Sequence, residues 1–448
     1  MKRLAVLGGE PILSAGSPSV SVPVVNETGR RLVNEVLDSG QISLNPVVGR
    51  FEKAFGDYVG SPHVIACNSG TSSLLAALYA VGVEPGDEVL VPSYTFWASA
   101  TLPFLLGAVP VFYDVDPVTW LADAGDIRGR ITPRTRALIV VHTWGSVCDM
   151  EAILAVAKPR GVRVIEDAAH AHGARWRGQH VGLAGDVGCF SLQGTKTLPG
   201  GEGGVLVTKE RELYERALAL GFYDRLQELP VDSPYRQYWL TGLGNKFRPH
   251  PLAMALALGR LETLDELNHL RDSQGLELEQ KVADLGYLVP QRGVPGTRRV
   301  YSYHYMRYDS EQLGGLKLDS LLAILSAEGL TAGYCGYGRL HQARLFLQGG
   351  SFRTSSDPVP PVSLPVSERL GRETFFAAPR FERPCPEVVD AYVSVYRAVR
   401  EQLDELLVWE EKYRQSSVRQ DVRSSSLELV TTSAADAEEE AGGEGNGA

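Results

Sequence analysis

The chain has 448 residues, of which 44% are hydrophobic and 22% charged. That composition is globular; it excludes a wholly disordered chain, a coiled coil and a collagen-like repeat, and the length points to two domains. The net charge is −10, with half of the excess in Asp436, Glu438, Glu439, Glu440 and Glu444, so the body is only mildly acidic and offers no obvious nucleic-acid surface.

No apolar run reaches the roughly 18 residues of a membrane span. In the opening MKRLAVLGGEP the apolar stretch is broken by Gly8, Gly9 and Glu10, so a secretory signal is not expected. Cys67, Cys148, Cys189, Cys335 and Cys385 are scattered and form no CxxC pair. A zinc cluster or disulfide framework is therefore not expected, no metal is assigned, and a reducing cytoplasm fits.

In chain order, VIAC (64–67) reads as a buried strand. The turn Asn68–Ser72 and the apolar helix LLAALYAVG follow. EVLVP (88–92) is the next strand and leads into helical ATLPFLLG; VPVFYDVD (109–116) and ALIVVHTWG (137–145) are two more. EAILAVAKPRG reads as a helix before the strand VRVIEDAA (162–169). Continuous apolar strands alternating with helices indicate a parallel sheet buried on both faces. DVGCFSLQ (186–193) and GGVLVT (203–208) lie too close for a helix between them, so the sheet there should be mixed. Residues 249–285 carry the longest helical pattern, with Pro249 and Pro251 at its start. From about 286 the pattern changes to short strands and helices, with Gly/Pro-rich loops at 290–297 and 349–362 and a helix over 386–413. The expected organisation is an N-terminal arm (1–30), a large α/β domain (31–255), a smaller α+β domain (256–414) and a disordered acidic tail (415–448).

Four stretches carry chemistry. Ser69-Gly70-Thr71-Ser72 joins a strand to a helix, where amides and small hydroxyls either cradle an anion or simply cap the helix. Glu166-Asp167 ends a strand, at the edge where open α/β sheets bind ligands; it is either a partner for a cationic ligand atom or a capping acid. Lys196 lies in Ser191-Leu192-Gln193-Gly194-Thr195-Lys196, among small residues that let a lysine lose its charge and act as a nucleophile. Gly244–Arg248 is a polar, basic loop before the long helical pattern. Cradle, strand-end acid and a lysine 29 residues later are together the parts of a pyridoxal phosphate site: the acid keeps the pyridine nitrogen protonated and the lysine forms the Schiff base.

Six blocks in register resemble the DegT/DnrJ/EryC1/StrS aminotransferases, over roughly residues 5–410. They are GRFEKAFGDYVGSPHVIACNSGTSSL, VPSYTFWAS, VVHTWGSVCDM, VIEDAAHAHGA, SLQGTKTLPGGEGGVLVT and GNKFRPHPLAMA. The resemblance implies a fold type I pyridoxal 5'-phosphate enzyme: a mostly parallel seven-stranded sheet sandwiched by helices, plus a smaller α+β domain. It implies that Lys196 and Asp167 are catalytic and that Gly70, Thr71 and Ser191 hold phosphate. Phe96 would stack on the cofactor ring, His170 would sit near its phenolic oxygen, and Asn245 would reach the phosphate of a second subunit in a homodimer. His142 stands at a strand end where it either touches ligand or packs.

His170, where the family usually has Gln, is a departure, as are Trp144, Pro249-His250-Pro251 and the loosely matching Tyr337-Gly338-Arg339-Leu340-His341. The activity implied is transfer of an amino group from L-glutamate or L-glutamine to the ring ketone of a cyclitol or sugar, in aminocyclitol or amino-sugar antibiotic biosynthesis. The alternatives are a dehydratase of the same family, whose members carry histidine in place of the lysine, and a non-catalytic sensor or partner protein. The lysine Lys196 speaks against the dehydratase, and the intact Lys196, Asp167 and Ser191 speak against the non-catalytic protein. No basic cluster for a diphosphate is visible, which favours a free or monophosphorylated cyclitol.

Overall fold

The computed structural model describes residues 2–13, 25–347 and 361–417. Its centre is a seven-stranded sheet. The strands are β1 (His63–Cys67), β2 (Glu88–Pro92), β3 (Val109–Tyr113), β4 (Thr135–Val141) and β5 (Arg163–Asp167), then, after a two-residue ribbon pair β6 (Arg175–Trp176) and β7 (Gln179–His180), β8 (Val187–Ser191) and β9 (Gly204–Thr208). The order is β1-β9-β8-β5-β4-β2-β3. Strands β3, β2, β4, β5 and β8 run parallel, and β9 is antiparallel to both β8 and β1. The expected mostly parallel seven-stranded sheet with a mixed edge is what the chain forms.

The strands are apolar throughout because both faces are covered. In β4, Leu138 and Val140 pack with Met150, Ile153 and Val156 on one face. Ile139 and Val141 pack with Leu74 and Leu78 of the helix Gly70–Ala80 on the other. Alternate residues of β1 and β9 likewise meet Phe51, Phe55 and Met254. Each fully buried aliphatic side chain contributes about 1.5–3 kcal/mol. With one direction shared by six strands, β9 alone being reversed, their carboxyl ends line up along one edge, where the loops carry the chemistry.

The pattern expected as one helix over 249–285 is two helices, Pro251–Leu261 and Leu264–Val282. Thr263 breaks it: its backbone is non-helical (φ −112°, ψ 10°), and its hydroxyl donates to the Arg260 carbonyl at 3.3 Å. The first helix packs in the core of the large sheet. The second sends Leu278 and Val282 into a separate core around a four-stranded sheet. That sheet has the order β10-β12-β14-β13, built from β10 (Leu288–Pro290), β12 (His304–Tyr308), β13 (Gly333–Tyr334) and β14 (Thr374–Ala378), while β11 (Thr297–Arg298) joins the β6–β7 ribbon. The expected boundary at 255/256 falls inside the helix Pro251–Leu261. The helix expected over 386–413 is also interrupted, at Gln402, giving Pro386–Glu401 and Leu403–Ser417. The last helix thus runs three residues into the stretch expected to be a disordered tail; residues 418–448 lie outside the described residues. Near the amino terminus, buried Glu328 accepts the amides of Ala5 (2.6 Å) and Ile12 (2.9 Å), tying residues 2–13 to the second unit. Among the described residues no helix is long and apolar enough to cross a membrane.

Candidate active site

The carboxyl edge of the sheet opens into a cavity of about 470 Å³, within the range of small-molecule sites. Asp167, the last residue of β5, is buried at its base. The Ser99 hydroxyl donates to Oδ2 at 2.7 Å and the Ala169 amide to Oδ1 at 3.1 Å. Burial pushes the Asp167 carboxyl up, against the pull of these two donors and of the Lys196 charge. A carboxylate so placed is short of positive charge.

Lys196 ends a tight turn after β8. Its amide donates to the Gln193 carbonyl at 2.8 Å, and Gln193 Oε1 accepts the Thr195 amide (2.8 Å) and hydroxyl (2.7 Å). Burial lowers the Lys196 amine to about 8; Asp167 pulls it back up and Arg380 pushes it further down. Such an amine supplies free base near neutral pH.

The helix Gly70–Ala80 starts at the same edge, capped by Ser69, whose hydroxyl accepts the Ser72 amide at 3.0 Å. Two glycines permit the close packing around it. A Cβ on Gly70 would lie 2.9 Å from Ser191 Cβ, and one on Gly204 would lie 2.2 Å from the Ser69 carbonyl oxygen. Gly70, Thr71 and Ser191 therefore converge around the helix N-terminus, whose unpaired amides and dipole favour an anion.

Lys196, Asp167, Gly70, Thr71, Phe96, His170 and Ser191, all expected from sequence, line this one cavity. Phe96 is 45% exposed and tilts against Trp97 at 4.8 Å. His170 is buried, and burial holds its ring well below the usual histidine range, so it is neutral. Asn245 does not line the cavity of its own chain; it is exposed, and its amide donates to the Leu220 carbonyl at 3.2 Å. His142 packs instead of facing the cavity. Its Nδ1 accepts the Cys148 amide at 3.1 Å, so Nε2 carries the proton and donates to Glu166 at 2.9 Å. Burial alone would raise the Glu166 carboxyl, but that donor and the amides of Gly182 and Gly185 outweigh it and leave it lowered. Glu166 and His142 thus form a buried brace beneath the strand ends.

Sequence reasoning missed Ser99, Glu202 and the tyrosines Tyr303 and Tyr305, all of which touch Asp167 or line the cavity. A model of the DegT/DnrJ/EryC1/StrS aminotransferase family matches residues 23–375. The chain belongs to that family. Its members use pyridoxal phosphate, and this enzyme is a pyridoxal phosphate-dependent aminotransferase. The residues present fit the cofactor: a carboxylate short of positive charge, an amine lowered to about 8, and a helix-end cradle with no room for a Cβ at Gly70 or Gly204.

Among relatives of this aminotransferase, L-glutamine:2-deoxy-scyllo-inosose aminotransferase of Micromonospora echinospora is 35% identical over 387 residues, covering 83% of this chain and 91% of that protein. GDP-perosamine synthase of Caulobacter vibrioides is 40% identical over 313 residues, covering 70% and 82%. The crystal structure of an aminotransferase from Psychrobacter cryohalolentis superposes with a TM-score of 0.78 at 25% identity, covering 86% of this chain and all of that one.

Proposed function

We propose that this aminotransferase moves the amino group of L-glutamine or L-glutamate to the ring ketone of a free cyclitol or sugar, as a step in aminocyclitol or amino-sugar antibiotic biosynthesis. The observation that carries the choice of acceptor is the charge of the cavity. Among the described residues its charged lining is Lys196, Asp167 and Glu202; Arg380, close enough to bear on Lys196, lies over the Tyr303 ring and does not line the cavity. A nucleotide-linked sugar brings a diphosphate that calls for cations, whereas a neutral polyol does not. The glutamine-dependent inosose relative supports the same acceptor and donor.

Bound in the cradle, pyridoxal phosphate supplies an electron sink and carries the amino group between donor and acceptor. In this reading Asp167 pairs with the ring nitrogen, fixed by Ser99 and Ala169. Gly70, Thr71 and Ser191 hold the phosphate and Phe96 covers the ring. His170, kept neutral, accepts the Trp144 amide at Nδ1 and so offers its Nε2–H as a donor. Lys196 Nζ would hold the cofactor covalently and, as a free amine, would be the base that takes up and returns the proton at the donor or acceptor carbon. The proposed unit is a cytoplasmic homodimer in which Asn245 serves the partner's site, as its exposed place outside its own cavity allows.

The test is a two-way panel. Free keto cyclitols, keto sugars and their nucleotide diphosphate conjugates are offered as acceptors, with L-glutamine, L-glutamate and L-alanine as donors, and amine formation is measured. Amination of nucleotide-linked ketones alone would replace this reading by the one that GDP-perosamine synthase suggests.

A further inference from the structure

One wall of the cavity is aromatic and comes from outside the sheet that holds Lys196. Tyr303 and Tyr305 belong to the approach to β12 and to β12 itself, and Tyr337 lies just past β13. At their centre is Trp144, in the turn after β4, with φ of 60°. A bulky residue in that left-handed region is strained and persists only where its surroundings hold it. The surroundings here are specific. The Trp144 amide donates to His170 Nδ1 at 3.4 Å. Gly145 admits no Cβ, which would lie 2.0 Å from the Val300 carbonyl oxygen. The indole stacks on Tyr337 (4.6 Å, 15°) and on His170 (5.1 Å, 9°), lies 4.0 Å from Tyr305, and meets Tyr303 edge-on at 5.6 Å.

The three tyrosines differ in what their hydroxyls do. Tyr303 is engaged: its oxygen lies 2.8 Å from the Thr195 hydroxyl, beside Lys196. Tyr305 and Tyr337 line the same cavity, yet their phenol oxygens have no hydrogen-bond partner among the described residues. Burial raises both phenols, so both remain protonated and offer a donor as well as an acceptor. The aromatic packing around Trp144 fixes both rings, so their hydroxyls are presented at set positions.

We infer that Tyr305 and Tyr337 recognise ring hydroxyls of the amino acceptor, and that Trp144 is the positioning residue that aims them. Two rigid, neutral phenols complement a neutral polyol and give a phosphate or a carboxylate nothing ionic to pair with. Recognition of this kind discriminates strongly, because an analogue lacking a hydroxyl leaves a phenol unpaired. The inference rests on the reading above that the acceptor is a polyhydroxylated ring ketone.

The experiment measures kcat/KM for scyllo-inosose and for its monodeoxy analogues with the wild type, Tyr305→Phe, Tyr337→Phe, Trp144→Leu and Trp144→Phe. The absorbance band of bound cofactor verifies that each variant is folded and loaded. The Phe substitutions keep the ring and remove one oxygen. For at least one deoxy analogue, wild-type discrimination should fall about 3- to 10-fold in a Tyr→Phe variant, the value of one neutral hydrogen bond. That discrimination should also fall in Trp144→Leu and be largely restored in Trp144→Phe, which rebuilds an aromatic hub. Equal losses on the inosose and on every deoxy analogue, or no change in either tyrosine variant, would show a merely structural wall and overturn the inference. Failure of the wild type to aminate any polyhydroxylated ketone would instead refute the substrate class, and the inference with it.

Discussion

The protonation of Lys196 can be tested directly. An ordinary lysine with a pKa of 10.5 is roughly 0.03% free amine at pH 7, whereas one lowered to about 8 is roughly 10% free, a gain of some 300-fold. Covalent capture of pyridoxal phosphate by the cofactor-free protein, followed by absorbance in a stopped-flow mixer, should therefore accelerate about tenfold per pH unit up to about pH 8 and then level off. Burial is the main cause, and the Asp167 charge opposes it, so Asp167→Asn should move the midpoint lower still. The same shift has a stability signature. Between about pH 8 and 10.5 the unfolded chain binds more protons than the folded one, so the cofactor-free protein should gain stability as pH rises through that window. The full gain is about 3 kcal/mol at 1.36 kcal/mol per unit, and below pH 8 the whole cost is present. Lys196→Met, which has no such proton, should lack this slope in urea unfolding. A capture rate still climbing tenfold per unit at pH 10, or a midpoint raised by Asp167→Asn, would refute this account of the site.

Four other perturbations follow from the same geometry. Lys196→Ala should end turnover while the protein still folds and retains pyridoxamine phosphate on dialysis, and Asp167→Ala should also be disabled; turnover at the wild-type rate would remove either residue from the chemistry. Buried Glu382 engages both Arg260 and Arg271, and Arg271 also donates to Thr197 Oγ1 at 3.0 Å, next to Lys196. Glu382→Gln should cost about 3–5 kcal/mol, because it leaves guanidinium charge buried without its carboxylate; the urea midpoint reads this. Finally, mixing Lys196→Ala with Asn245→Ala under subunit exchange should restore part of the activity if each site is built from two chains, and no recovery with exchange verified would place Asn245 in its own chain's site.

What the sequence discloses here is what lies close in sequence. The cradle at Ser69–Ser72, the acid at the end of β5 and the lysine after β8 each sit within a few residues of a strand end, and apolar runs mark those strand ends plainly. The cavity assembles these pieces without any adjustment of their expected places. Ser99 is different. It is an unremarked serine in an apolar helix, and only the fold brings its hydroxyl to Asp167. The tyrosines of the wall come from a second sheet, and local pattern cannot say which face of β12 looks toward Lys196. The helix break at Thr263 was hidden for another reason. Both halves bury leucines at helical spacing, so the periodicity runs on although the two halves pack in different cores.

The position of β9 also bears on how the molecule is made. Strand β1 lies at the edge of the sheet, and its pairing partner is β9, with His63 opposite Thr208. During synthesis β1 must wait for most of the large sheet's sequence to emerge before it has a neighbour. Closing a loop of that length carries an entropic cost, and such non-local pairing slows folding. Gly204, at the start of β9, packs against the Ser69 carbonyl with no room for a Cβ. The turn that carries Gly70 and Thr71 is therefore backed by β9, and its packing is complete only once β9 is seated beside β1.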